Sequence, residues 1–132
     1  MTKKPSLLYM LLLLSVAILF ASCSTGGQND RYTTVDPAEL EELLDSGDIF
    51  LVKVSSGSEI IPGTDLVMSD EDILADVSVL PGLDHPTAVY CEAGPVSRAF
   101  VDDLTALGFT DIIWLDGGIR GWKKDGKPVE KR

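Results

Sequence analysis

The sequence is poor in basic residues: it has 11 Lys and Arg against 21 Asp and Glu in 132 residues, and a formal net charge of −10. Proteins that bind a phosphate backbone use Lys and Arg to displace its counterions. The acidic balance therefore argues against nucleic acid as a partner. The length, with no evident internal repeat, predicts one modest domain.

Long apolar stretches are absent except at residues 7–20, which carry no charge. These fourteen residues are fewer than the about 20 that a membrane-spanning helix needs. Lys3 and Lys4 precede them, and the small residues Ala21 and Ser22 follow. This arrangement is typical of an export signal.

Residues 19–23 resemble the end of a bacterial lipoprotein signal, in which a small residue precedes a cysteine that is lipidated and becomes the mature N-terminus. The resemblance implies a signal peptide over residues 1–22 and a membrane anchor through a lipid on Cys23. Residues 23–31 would then form a flexible, polar tether. The alternatives are an uncleaved anchor or a secreted protein that loses Cys23.

Loss of residues 1–22 would change the net charge from −10 to −12, because this segment carries two Lys and no acidic residue. Since no Asp follows Cys23, the lipoprotein sorting pattern implies the outer membrane in a two-membrane host. In a one-membrane host the protein would stay on the cell membrane. Either way we expect an exported protein, periplasmic or on the cell surface.

Cysteine and histidine are nearly absent, with two cysteines and one histidine in the chain. If Cys23 carries a lipid, Cys91 has no partner for an internal disulfide and is a free thiol. Buried cysteines are often inert, so its position must decide whether it reacts. His85 precedes the strand that leads to Cys91 and lies at the opposite end of that strand, so we assign it no catalytic part.

Strands and helices are predicted to alternate along the rest of the chain. Asp36, Pro37 and Glu39 form a capping box that begins a helix over residues 37–45. Apolar runs predict strands at 49–54, 87–90 and 111–115. Further helices are predicted at 71–79, at 96–107 and after the glycine pair at 117–118, with 55–72 as a loop. This order indicates an α/β fold with one small parallel sheet and helices on both faces.

The reactive loops of such sheets lie at the carboxyl ends of the strands. Cys91 follows the strand at 87–90 directly and precedes a helix. Backbone N–H groups and the positive end of the helix favour a thiolate there.

The stretches "DPAELEELLDSGDIFLVKV", "IPG", "VYCEAG" and "GFTDIIWLDGGIRGWKKDGKPVEK" resemble the rhodanese family, over residues 32–132. The resemblance implies a rhodanese-like domain whose loop cysteine accepts sulfane sulfur from a small donor such as thiosulfate, or from a protein persulfide. The persulfide then passes its sulfur to cyanide or a thiol acceptor. Cys91 would be the nucleophile, and no metal or organic cofactor is implied. The loop amides that would bind the substrate are those of Glu92, Ala93, Gly94, Val96 and Ser97.

The sequence departs from the family pattern at four points. The usual loop is Cys-x-x-Gly-x-Arg, but Val96 occupies the position of the arginine. Pro95 has no N–H to donate. Glu92 places a negative charge beside the sulfur. The strand that usually ends in Asp-Val-Arg reads Lys-Val-Ser at residues 53–55.

Three cations near strand ends are candidates to replace the missing arginine: Lys53, Arg98 and Arg120. Arg98 also misses the longer Cys-x5-Arg loop of phosphatases with this fold. Three functions therefore stay open: a sulfurtransferase or persulfide carrier, a binding module for a partner protein or a sulfur species, and a thiol redox sensor. Retention of Cys91 and Gly94 favours the first, and loss of the arginine favours the second.

Overall fold

A computed structural model describes residues 31–132; the predicted signal peptide, Cys23 and the tether up to residue 30 lie outside the described residues. The helices are α1 (Pro37–Ser46), α2 (Asp70–Ala75), α3 (Pro95–Ala106) and α4 (Gly118–Lys124), with a short 3-10 helix at Val77–Val79. The strands are β1 (Thr33–Val35), β2 (Phe50–Lys53), β3 (Glu59–Ile60), β4 (Leu66–Val67), β5 (Thr87–Tyr90), β6 (Ile112–Leu115) and β7 (Glu130–Lys131). Within residues 31–132, no helix has the length and apolar character to cross a membrane.

Five strands form a parallel sheet in the order β1-β6-β5-β2-β4. Lys53 at the end of β2 pairs with Tyr90 at the end of β5. Val89 pairs with Trp114 of β6. The segments that follow these three strands therefore meet at one edge of the sheet, as in other parallel α/β folds.

Alternate residues along the strands enter two separate cores. Val52 and Val89 pack on one face with residues of α2 and α3. Leu51 and Ala88 pack on the other face with residues of α1 and α4. The predicted α/β fold with a parallel sheet and helices on both faces is confirmed, because near-continuous apolar strands are those covered on both sides.

The prediction of a loop over residues 55–72 is wrong in part. This segment contains β3 and β4: β4 extends the parallel sheet beside β2, and β3 forms a separate antiparallel pair with β7. Two further strands were not predicted: β1, which pairs with β6, and β7, which pairs with β3. Strands of two or three residues are too short to show a hydrophobic period, so partners distant in sequence define them.

The helix predicted over residues 71–79 is present but shorter: the start of α2 agrees with the prediction, whereas α2 ends at Ala75, four residues earlier than predicted. The backbone of Asp76 leaves the helical region, with φ −146° and ψ 87°, and its carboxylate accepts the N–H of Ser78 at 3.1 Å. Asp competes in this way for local backbone donors. The chain then forms the short 3-10 helix.

Candidate active site

Cys91 lies between the end of β5 and the start of α3, and its sulfur accepts several hydrogen bonds. The N–H groups of Gly94 and Ser97 donate to Sγ at 3.1 and 3.5 Å. The Ser97 hydroxyl oxygen lies 3.2 Å from Sγ. Donors that converge on sulfur stabilise its anion more than its neutral form.

The loop takes this shape because its residues fit it. Gly94 has φ +117°, in a region that L side chains rarely adopt. Pro95 occupies the first turn of α3, where a backbone N–H would have no partner within the helix. The loss of its N–H therefore costs the helix nothing.

The glycine pair after β6 holds the loop from the other side. Ile119 and Arg120, at the start of α4, donate their N–H groups to the carbonyl oxygens of Cys91 and Glu92 at 2.9 and 3.0 Å. Gly118 has φ +59°, and a Cβ there would overlap both carbonyl oxygens. The close approach of the two segments thus requires glycine, and the carbonyls of the loop are bonded away from the sulfur.

Two opposing effects set the pKa of Cys91. Burial raises the pKa, whereas hydrogen bonds from the Ser97 hydroxyl and from the amides of Ser97, Gly94 and Ala93 lower it. The hydrogen bonds prevail, so the pKa of Cys91 lies below its ordinary value. The site therefore favours the nucleophilic form of sulfur.

Of the five amides predicted to cradle the sulfur, the structure brings those of Gly94, Ser97 and Ala93 to it. In the described structure the N–H groups of Glu92 and Val96 do not donate to Sγ. The Val96 side chain is 48% exposed. The position that carries arginine in the family pattern is therefore an open, apolar one.

Lys53 does not provide a free cation for the site. Its side chain is fully buried, and its ammonium contacts Glu92 Oε1 at 2.9 Å and the carbonyl oxygens of Gly57 and Glu59. Glu92 is 45% exposed and also lies 3.5 Å from the Ser55 hydroxyl. The negative charge beside Cys91 is thus paired, and residues 53 and 92 form a salt bridge that the sequence analysis missed.

The other two candidate cations lie at the surface beside the loop. The Arg98 guanidinium lies 5.8 Å from the centroid of the Trp114 ring. The backbone of Arg120 bonds Glu92, and its side chain is exposed. Neither arginine forms a salt bridge within residues 31–132. The structure places both cations near the site without a contact to Sγ.

A groove of about 430 Å³ runs beside the loop. Its lining includes Gly94, Arg98, Trp114 and Asp116. A larger groove, of about 580 Å³, lies near Thr105, at the opposite end of α3. We place the reactive site at Cys91 because the converging donors are there.

The Cys91 side chain is only 2% exposed and packs within one of the two cores. This low exposure weighs against any reaction at an accessible thiol, so it disfavours the redox sensor and also opposes attack on an external sulfur donor. Within residues 31–132, no three His, Cys, Asp or Glu side chains are grouped so as to hold a metal ion. The chemistry that these residues offer is that of a sulfur nucleophile.

Trp114 belongs both to a hydrophobic core and to the site. Its indole N–H donates to the Ser97 hydroxyl at 2.9 Å. No local sequence signal reveals this contact, because it joins two elements 17 residues apart. The Lys53 to Glu92 pair did leave a signal, since a base replaces the usual acid at 53 while an acid stands beside the cysteine.

Curated relatives include sulfurtransferases. The chain is 31% identical over 112 residues to the probable adenylyltransferase/sulfurtransferase MoeZ of Mycobacterium tuberculosis. The aligned region covers 76% of this chain and 27% of that protein. The chain is also 36% identical over 47 residues to the thiosulfate sulfurtransferase GlpE of Actinobacillus succinogenes. This aligned region covers 36% of this chain and 42% of that protein. The chain thus spans well under half the length of these relatives.

Solved structures share the fold. A rhodanese-related protein from Thermoplasma volcanium superposes with a TM-score of 0.64 at 25% identity, which covers 74% of this chain and 96% of that protein. A rhodanese-like domain protein from Staphylococcus aureus superposes with a TM-score of 0.63 at 23% identity. The superposed region covers 75% of this chain and 97% of that protein. The profile described as "Rhodanese-like domain" matches residues 36–125. With this match over most of the chain, and the cysteine loop and sheet order described above, the chain belongs to the rhodanese-like domain family.

Proposed function

We propose that this protein carries or transfers sulfane sulfur through a persulfide on Cys91. The observation that supports the proposal is the convergence of the Gly94 and Ser97 donors on Sγ. A pure binding module has no physical need for such a cradle. The names of the curated relatives, a probable adenylyltransferase/sulfurtransferase and a thiosulfate sulfurtransferase, agree with this chemistry.

The proposed reaction has two displacements at sulfur. In the first, the Cys91 thiolate attacks the outer sulfur of thiosulfate: a new S–S bond forms, the original S–S bond breaks, and sulfite leaves with the electron pair. In the second, an acceptor thiolate attacks the outer sulfur of the Cys91 persulfide. The acceptor becomes a persulfide and the Cys91 thiolate is released, so no external oxidant or reductant is consumed.

Thiosulfate is the less favoured donor on electrostatic grounds. It is a dianion, the chain carries a net charge of −10, and Val96 replaces the loop arginine. Arginine binds such anions through its fixed, planar cation. We therefore expect a less charged donor, such as an organic or protein-bound persulfide, to load Cys91 faster than thiosulfate.

We further propose that the domain works outside the cytoplasm, tethered to a membrane by lipid on Cys23. The support is the signal-like layout of residues 1–23. Labelled palmitate fed to a bacterial host that expresses the full chain should be incorporated, and Cys23→Ala should abolish both incorporation and cleavage. Label that persists in Cys23→Ala would contradict the lipid anchor.

The test of sulfur transfer is the intact mass of the full-length chain in mild detergent after incubation with thiosulfate or with an organic persulfide. We expect a gain of one sulfur atom that Cys91→Ser abolishes. Cys23→Ser is the matched control and should keep the gain. If neither donor adds sulfur to Cys91, the persulfide proposal is wrong.

A second candidate is a rhodanese-fold binding module without turnover. It is favoured by the 2% exposure of Cys91 and by the open Val96 position. The same mass experiment separates the two candidates, because a binding module adds no sulfur atom covalently.

A further inference from the structure

The Ser97 hydroxyl is surrounded by three polar neighbours inside the fold. The indole N–H of Trp114 lies 2.9 Å from Ser97 Oγ, Cys91 Sγ lies at 3.2 Å, and the Gly94 carbonyl oxygen lies at 3.0 Å. Ser97 is fully buried and Trp114 is nearly so, which excludes bulk water as an alternative partner. The three contacts therefore compete for one hydrogen and two lone pairs.

The donor properties of the neighbours limit how that hydrogen can point. An indole N–H only donates, so Trp114 always takes a lone pair of Ser97 Oγ. A carbonyl oxygen only accepts. With Cys91 as a thiol, its S–H can donate to Oγ while the hydroxyl donates to Gly94. With Cys91 as a thiolate, the hydroxyl hydrogen must turn to the sulfur.

Rotation of the Ser97 hydroxyl hydrogen towards the sulfur leaves no buried polar group at the site without a hydrogen-bond partner. When the hydroxyl donates to Cys91, the Gly94 carbonyl oxygen still accepts the N–H of Arg98 at 3.0 Å. Trp114 keeps its bond to Ser97 in both states. An unpaired buried acceptor would otherwise oppose the change.

We propose that Trp114 is a positioning residue for Cys91: its indole N–H fixes the Ser97 oxygen so that the hydroxyl hydrogen follows the ionisation state of the sulfur. The indole also polarises the hydroxyl, which strengthens the bond to the thiolate. This role rests on the proposed function of Cys91 as a nucleophile. Trp114 itself touches Ser97 and not the sulfur.

Charged groups on the surrounding elements do not replace this hydroxyl. Lys53 and Glu92 are paired with each other at 2.9 Å. The Arg98 guanidinium lies over the Trp114 ring. Asp102 and Asp116 also line the adjoining groove, and Arg120 lies in the first turn of α4 with an exposed side chain.

The variant Trp114→Phe removes the N–H and keeps a ring for two existing contacts. These are the edge-to-face contact with Tyr32, at 6.3 Å between centroids, and the contact with Arg98. Trp122→Phe is the matched control. The Trp122 indole donates to the Pro128 carbonyl oxygen at 2.7 Å and packs on the opposite face of the sheet.

The first experiment measures the rate of iodoacetamide alkylation against pH in the full-length chain, on the Cys91 peptide by mass spectrometry so that Cys23 does not contribute. We expect the midpoint to rise by about half a pH unit in Trp114→Phe and by about one unit in Ser97→Ala, the size of a lost hydrogen bond. In the Ser97→Ala background, Trp114→Phe should add no further shift. Trp122→Phe should leave the midpoint unchanged.

A second measurement uses the unaltered side chains and so does not depend on any Trp variant folding. In the ¹⁵N-labelled chain, the indole N–H resonance of Trp114 should move with pH at the alkylation midpoint, and Cys91→Ser should abolish the movement. The Trp122 resonance should not follow it. The proposal is wrong if the Trp114 resonance does not move at the pH where Cys91 ionises. It is also wrong if the alkylation midpoints of the parent chain and Trp114→Phe are equal.

The two proposals fail separately. Alkylation and resonance need no sulfur donor, so they test Trp114 even in a protein that takes up no sulfur. Absence of a persulfide with the expected midpoint shifts intact would contradict the proposed function and leave the positioning role standing.

Discussion

The loop around Cys91 and the charged residues at its edge are built in different ways. Main-chain groups form the loop: amides of Gly94 and Ser97 face the sulfur, and the N–H groups of Ile119 and Arg120 hold its carbonyls. Side chains form the edge, where a buried lysine at position 53 replaces the family's acid. The resemblance to the rhodanese pattern thus holds for the main-chain cradle and not for the charges around it.

Sulfur activation and donor selection therefore depend on different groups in this protein. The cradle depends on backbone amides, on the unusual backbone that glycine permits and on the Ser97 hydroxyl, and none of these groups is charged. Donor choice depends on cations, and Val96 offers none. Changes to the two parts should therefore affect different measurements.

The largest expected effect comes from breaking the main-chain part with Gly118→Ala. The new Cβ would overlap the carbonyl oxygens of Cys91 and Glu92, and φ is +59°. We expect a loss of about 3 kcal/mol in the free energy of unfolding, from overpacking and backbone strain together, and loss of persulfide formation. Urea unfolding and intact mass measure the two effects.

Gly126→Ala is the matched control for Gly118→Ala. Gly126 also has a left-handed backbone, with φ +77°, but nothing lies within 4 Å of an added Cβ. It should cost about 1 kcal/mol, from backbone strain alone, and leave sulfur uptake intact. Equal losses in both variants would show that the contact between α4 and the loop is unimportant.

Glu92→Gln removes the salt bridge between Lys53 and Glu92 at the edge of the loop. Lys53 is fully buried, so loss of its partner leaves an ammonium without a counter-charge, at a cost of about 2 kcal/mol in the free energy of unfolding. The exposed pair of Lys123 and Glu59, at 2.7 Å, gives the comparison. There Lys123→Gln should cost under about 1 kcal/mol, because water solvates both groups.

Exchange of the two charges tests why lysine lies at position 53. The Lys53 ammonium also donates to the carbonyl oxygens of Gly57 and Glu59. A carboxylate cannot donate, so the double variant Lys53→Glu with Glu92→Lys should remain at least as unstable as Glu92→Gln. Recovery of the parent urea midpoint would mean that only the ion pair matters.

Val96→Arg tests whether the missing cation limits the use of thiosulfate as a donor. The side chain at this position is 48% exposed, so an arginine fits without entering the core. A charge-assisted hydrogen bond to thiosulfate, worth about 1.5–3 kcal/mol, should raise the rate of persulfide formation from thiosulfate about tenfold or more. Val96→Met, which adds length without charge, should not. An unchanged thiosulfate rate in Val96→Arg would mean that the missing cation does not limit this donor.

The sequence predicts the parts of this molecule that depend on neighbouring residues. The helix that begins at Pro37 and the strands before and after α3 follow from caps and apolar periods within about ten residues. Cys91 is recognisable because it lies between a predicted strand and a predicted helix, whereas Gly94 is recognised only through the resemblance to the rhodanese loop. These features set the fold and place the sulfur at a strand end.

Contacts between distant elements were not predicted from the sequence, although the unusual charges at positions 53 and 92 left a signal for one of them. The Lys53 to Glu92 pair joins residues 39 positions apart, and β3 pairs with a strand near the end of the chain. The bond from Trp114 to Ser97 depends on two side-chain conformations as well as on the fold. Periodicity and caps carry no information on such pairings.

The smallest expected effect is the pH dependence of stability that Cys91 contributes. Hydrogen bonds in the folded chain place its pKa below the ordinary value of 9.0, so the folded protein holds a thiolate where the unfolded chain still holds a thiol. The contribution is fully present above the unfolded pKa and is lost as pH falls through the folded pKa.

The measurement is the free energy of unfolding in urea at a series of pH values, for the parent chain and for Cys91→Ala. The difference between the two should grow as pH rises through the interval between the folded and unfolded pKa values of Cys91. Cys23→Ser, which lies outside the fold described for residues 31–132, should follow the parent chain throughout. A difference that stays constant would mean that burial cancels the hydrogen bonds at the sulfur, and one that shrinks as pH rises would mean that burial outweighs them.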